Sequence, residues 1–163
     1  MPATYEPIAT TTLGSAAATI TFSSIPATYT DLVIVFAGTA TANLNPLMSF
    51  NSDSGTNYSR TYLTGNGSGA FSGRLTSQTS MRLTDNNLST TVSLCRISIF
   101  SYTAAVNKTA LIEYSSDRNG TGFVERLVGL WRSTASITTV SLSTSTSTFA
   151  AGTTATLYGI LKA

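Results

Sequence analysis

Histidine is absent from this chain of 163 residues. That gap removes the commonest general base, the usual activating partner of a serine or cysteine nucleophile, and the commonest metal ligand. Cysteine is nearly absent too: Cys95 stands alone, so no disulfide forms within the chain and no Cys/His group is there to hold a metal. It lies in the apolar stretch from Val92 to Phe100, where the expected role is a buried small hydrophobe rather than a reactive thiol. Charge is scarce, at 10% of residues against about 25% in ordinary domains. Nine basic and seven acidic side chains give a net charge of +2 and form no run of one sign. Nucleic-acid partners are therefore not expected, because counterion release needs clustered Lys and Arg. The longest strongly apolar run, Leu32 to Ala37, falls far short of the roughly 20 residues of a membrane-spanning helix. The first residues carry no basic segment leading into an apolar one, the mark of a secretion signal. A soluble protein made in a cytoplasm, with no membrane partner, is the expectation.

Signature motifs of catalysis are missing in the same way. There is no G-x-S-x-G elbow and no P-loop, and Gly65-Asn-Gly67 sits in a loop where glycine serves turn geometry. Asp53, Asp85, Glu113, Asp117 and Glu125 fall in different segments, so a paired-carboxylate hydrolase would require them to converge. No enzyme activity and no cofactor are expected.

Apolar residues make up 42% of the chain, and Ser and Thr together close to a third. Disorder requires low hydrophobicity with high charge, and neither holds. The solvent faces must be covered by hydroxyls, and threonine suits a pleated surface because its branch at Cβ does not crowd a strand. Short alternating or β-branched runs recur, each closed by a Gly/Asn/Asp/Ser cluster. They are Ala18 to Phe22, Asp31 to Thr39, Pro46 to Phe50, Tyr58 to Leu63, a strand pair within Phe71 to Leu83, Thr90 to Tyr102, Thr109 to Tyr114, Ser136 to Leu142 and Thr154 to Leu161. Strands near ten-residue spacing with glycine-rich turns predict a single-domain, all-β antiparallel sandwich. Between Gly122 and Arg132, Phe123, Leu127, Leu130 and Trp131 recur at helical spacing, while Gly129 and the β-branched residues favour a strand; the strand is expected. Ile137 and Val140 fall on opposite faces of an ideal strand, which predicts a bulge near Thr138.

The sandwich is expected over residues 14–163, with residues 1–13 as an extended N-terminal arm, since Pro2 and Pro7 deny it the bonds of a central strand. An arm without a core of its own is a candidate partner contact through Pro2, Tyr5, Pro7 and Ile8. The loop from Asn51 to Asn57 alternates oxygen donors as a calcium loop does, yet offers one carboxylate where calcium prefers several, so an Asx-rich hairpin loop is expected. Tyr58, Tyr62 and Trp131 are candidates for stacking on sugars or on a partner surface, with packing in the core as the commoner fate of such rings.

Three stretches together resemble a recurrent family of virion structural proteins of tailed phages, including those of cyanobacteria: Ile20-Thr-Phe-Ser-Ser-Ile-Pro-Ala-Thr-Tyr-Thr-Asp-Leu32, Phe50-Asn-Ser-Asp-Ser-Gly-Thr-Asn-Tyr-Ser59, and Gly152 to Ile160 ending in Leu-Tyr-Gly-Ile. Arg126 to Ile137 is similar to the penultimate region of the same family. The resemblance spans nearly the whole chain. It implies a jelly-roll-like sandwich and a place in the virion, either as a cement (decoration) protein on the capsid exterior or as a tail or fibre component. It carries no catalytic residues. Many members are longer, with stems or attachment regions, and the lack of one here favours the cement role: a homotrimer bound to the major capsid protein through sandwich and arm. The rival expectation is a module gripping a host-surface glycan through Tyr58, Tyr62 or Trp131.

Overall fold

The computed structural model of the protein describes residues 4–161. Among them are twelve strands: β1 (Tyr5–Thr12), β2 (Thr19–Phe22), β3 (Asp31–Gly38), β4 (Pro46–Phe50), β5 (Tyr58–Gly65), β6 (Ala70–Gln78), β7 (Met81–Arg82), β8 (Ser93–Phe100), β9 (Lys108–Asp117), β10 (Gly122–Trp131), β11 (Val140–Thr144) and β12 (Thr154–Ile160). A larger sheet runs β1-β12-β3-β8-β9-β10-β5-β6 and a smaller one β2-β11-β4-β7. All the strand pairs are antiparallel. The fold is thus the single-domain all-β sandwich that the alternating runs predict. Ile20, Met48, Phe50 and Leu142 of the smaller sheet meet Ile34, Ile97, Ile112, Leu127 and Leu157 of the larger in one core. Cys95 lies in that core, where burial pushes its thiol far above the usual range.

Alternation explains β10. Its inward residues are Glu125, Leu127, Gly129 and Trp131, and its outward ones Val124, Arg126 and Val128. Spacings of four satisfy the helical and the strand period alike, so Phe123, Leu127 and Trp131 fit both patterns; Leu130, on the outer side, fits only the helix. Gly129 decides the packing, because a Cβ there would stand 2.1 Å from the sulfur of buried Met81.

Four expectations are corrected. The supposed arm is, over residues 5–12, the edge strand β1, paired with β12 from Tyr5↔Ile160 to Thr12↔Thr154. Pro7 is tolerated because it stands at the sheet edge, where the register shifts between Pro7 and Ala9. The strand pair foreseen within Phe71 to Leu83 separates, β6 joining the larger sheet and β7 the smaller. The loop from Asn51 to Asn57 is no hairpin but a crossing between sheets, from β4 to β5. Finally, the chain solves the Ile137/Val140 mismatch with a non-strand segment in place of a bulge: Asn51 Oδ1 accepts the backbone N–H groups of Thr138 (2.9 Å) and Thr139 (3.1 Å), and β11 starts only at Val140.

Candidate interaction surface

The outer face of the larger sheet follows from its register. Val35 of β3 stands opposite Arg96 of β8, Arg96 opposite Glu113 of β9, Glu113 opposite Arg126 of β10, and Arg126 opposite Leu63 of β5. This row is polar at its centre. Glu113 receives Arg126 at 2.7 Å and Arg96 at 3.5 Å, and Arg96 donates on to the Tyr5 hydroxyl of β1 at 3.1 Å. The neighbouring rows are mostly apolar: Leu94 and Val124 flank Ser115 on one side, Leu111 and Val128 continue from Ser98 on the other, and Phe100 stands at the far end of β8. Val35, Leu63, Leu94, Phe100, Val124 and Val128 are between 43% and 67% exposed. Two open depressions lie on this face. One of about 710 Å³ is lined by Gly65, Val92, Leu94, Ser115, Gly122 and Val124; the other, of about 450 Å³, lies over Val35, Leu94, Arg96, Glu113, Val124 and Arg126.

The residues singled out from sequence are scattered. Pro2 lies outside the described residues. Tyr5 is exposed, edge-on to Tyr158 with ring centroids 6.4 Å apart; Pro7 is exposed beside it, and Ile8 turns inward against the core. Tyr58 and Trp131 are buried, stacked at 16° with centroids 6.3 Å apart and joined by Phe50, so neither offers a face to a sugar. Tyr62 is half-buried, with the Arg60 guanidinium 5.0 Å from its ring centroid. The Asn51–Asn57 loop spends its carboxylate internally: Asp53 accepts Trp131 Nε1 at 2.6 Å, the Asn57 amide at 2.9 Å and the Gly55 N–H at 2.8 Å. Those donors, Trp131 foremost, hold the Asp53 carboxyl below its ordinary range. Burial pushes the Tyr58 hydroxyl up to about 12.

Two of the carboxylates do converge, which their separation in sequence hides. Glu125 of β10, buried, accepts the backbone N–H groups of Asp85 (2.8 Å) and Asn86 (3.2 Å) together with the Asn86 amide. Asp85 accepts buried Arg60 at 2.8 Å, and its carboxylate pushes the titration of Tyr62 upward. Arg60 also donates to the Thr84 carbonyl, Arg82 to that of Asp85, and Arg118 and Tyr114 to that of Asn87. Every one of these bonds grips the segment from Thr84 to Asn87, so the cluster works as a latch tying the end of the smaller sheet to β5, β9 and β10. Among the described residues no three His, Cys, Asp or Glu gather as a metal site, and there is no helix long and apolar enough to cross a membrane. No family model, curated protein or solved structure matches this chain.

Proposed function

We propose that the protein is a non-enzymatic structural component of a phage virion, a cement protein that lays the outer face of its larger sheet on the exterior of the capsid shell. The observation that carries this reading is the set of six exposed apolar side chains on one sheet face around a central ion-pair row. Large apolar side chains exposed together on one face mark a contact surface. Topology supports the reading too. The smaller sheet, with β2 to β5 alternating between sheets, reads as a jelly roll whose larger sheet has been widened by β8, β9, β12 and β1. Jelly rolls recur in viral shells, a link of analogy rather than chemistry.

The test uses shells of the parent phage stripped of this protein, with the purified chain added back and co-sedimented. Saturable binding of the native chain, weakened about tenfold or more by Val124→Asp with Leu94→Asp, is the expected outcome. No binding to shells, or equal binding by the variant, overturns the proposal, and density for the chain on the tail would move it there.

A further inference from the structure

Two edges bound the larger sheet; each carries one register shift, and they differ in proline and in charge. On β1, Glu6, Pro7 and the register shift between Pro7 and Ala9 blunt the edge in the ways proteins use against strand addition. On β6, the stretch Ala70 to Leu75 runs in unbroken register along β5, contains no proline, and carries Arg74 as its single charge. Its other side pairs with no strand among the described residues. Phe71 and Leu75 stand opposite Thr64 and Arg60, on the side of the sheet that elsewhere faces the core. They are nonetheless 56% and 39% exposed, because the smaller sheet ends at β7, which lies over β5 and β10 and does not reach β6.

We propose that β6 is the seam of a homodimer, in which two copies pair their β6 strands antiparallel about a two-fold axis through Gly73 and perpendicular to the sheet. An antiparallel two-fold pairing of identical strands must centre on a residue, since only then do side chains meet others from the same face. Centring on Arg74 sets two guanidinium groups directly opposite each other, an unfavourable pair. Centring on Ser72 sets Phe71 against Gly73 and leaves Leu75 without an apolar partner. Centring on Gly73 places Phe71 of each copy across from Leu75 of the other, twice, and sets each Arg74 across from a Ser72. Centring on Phe71 or Leu75 pairs that residue with its own copy and leaves the other without an apolar partner, so the Gly73 register is the one that partners both, and an isologous contact of this kind closes after two copies. A three-fold ring would require β6 to meet a different edge of the next copy. The edge available on the same sheet is β1, which Glu6 and Pro7 obstruct. The seam leaves the outer face free, so it stands apart from the capsid reading and is tested separately.

Sedimentation of the full chain over a concentration range is the experiment. The native protein is expected to be a dimer, and Phe71→Lys with Leu75→Lys to be monomeric with an unchanged circular-dichroism spectrum, its association weakened about a hundredfold or more. Phe71→Lys with Leu75→Glu should restore the dimer, because the two-fold places each new lysine opposite a new glutamate, and added salt should then weaken it. Val124→Asp, on the outer face, should remain dimeric. A native chain that is monomeric at hundreds of micromolar or that sediments as a trimer overturns the seam. So does a Lys/Lys variant that still dimerises, or a Lys/Glu variant that does not.

Discussion

At the scale of single residues, Asp53 shows how a side chain acquires its role from a partner remote in sequence. The turn it ends has positive φ at Asn51 and Ser52 and a bond from the Asp53 N–H to the Phe50 carbonyl, the pattern of a type I′ turn. That local Asx behaviour is legible from the run of Asn, Ser, Asp and Gly. The indole of Trp131 is not legible, because nothing local announces that strand β10 delivers its N–H to this loop. Asp53→Ala strands that buried donor and releases the Asn57 amide, a loss of about 1–3 kcal/mol in urea denaturation near neutral pH. The pH dependence has a definite sign. The folded carboxyl is held below its ordinary value, so its contribution is complete above the unfolded pKa of about 3.9 and fades as pH falls through the folded one. The gap in stability between the native protein and Asp53→Ala should therefore be constant from pH 7 to 5 and narrow below about pH 4. A gap that widened in acid would show that Asp53 is not the group responsible.

At the scale of elements, most strands are visible in the sequence because alternation and glycine-rich turns are local signals, while sheet membership is decided by distant pairings that no local signal carries. The difference between the expected arm and β1 has this cause: Pro7 does exclude a central strand, but an edge strand needs only half its backbone paired. Strand β10 makes the point within one turn of pleat. Glu125 and Arg126 are adjacent and both ionisable, yet one faces the core and the other the solvent. Glu125 satisfies two backbone N–H groups of the latch from within the sandwich, whereas Arg126 meets Glu113 where both are substantially exposed. Glu125→Ala should thus cost about 3 kcal/mol or more, with the segment from Thr84 to Asn87 losing its anchor. Arg126→Ala should cost at most about 1 kcal/mol. Denaturation midpoints of the two variants check the contrast, and similar losses from both would refute the division of labour between the faces.

At the scale of the whole molecule, the chain closes by joining its beginning to its end in both sheets. Strand β1 pairs with β12 in the larger, and β2 with β11 in the smaller. The Leu161 N–H even reaches the Thr4 carbonyl, at 3.1 Å. The two partners in the larger sheet are not equivalent. β1 is an outer strand with mostly solvated side chains, whereas β12 lies between β1 and β3, buries Ala155 and Leu157, and passes Gly159 so close under the Tyr29 ring that a Cβ there would stand 2.3 Å from it. Pairings this distant in sequence require large loops to close before any bond rewards them, which places folding in the slow range of β-proteins, about milliseconds to seconds. Removing residues 2–12 takes away one ladder and little core, so that chain should still give a β-type circular-dichroism spectrum and a cooperative transition, with its melting temperature lowered by several degrees. It should also aggregate more readily, because the β12 edge it bares has none of the protection that Glu6 and Pro7 give β1. Removing residues 153–163 instead takes an interior strand, leaves β1 without a neighbour, and uncovers the flank of Ile34 and Phe36 on the adjoining β3. That chain should fail to fold, as read by loss of the cooperative transition. If the second truncation melted as cooperatively as the first, the closure of the fold through β12 would be wrong.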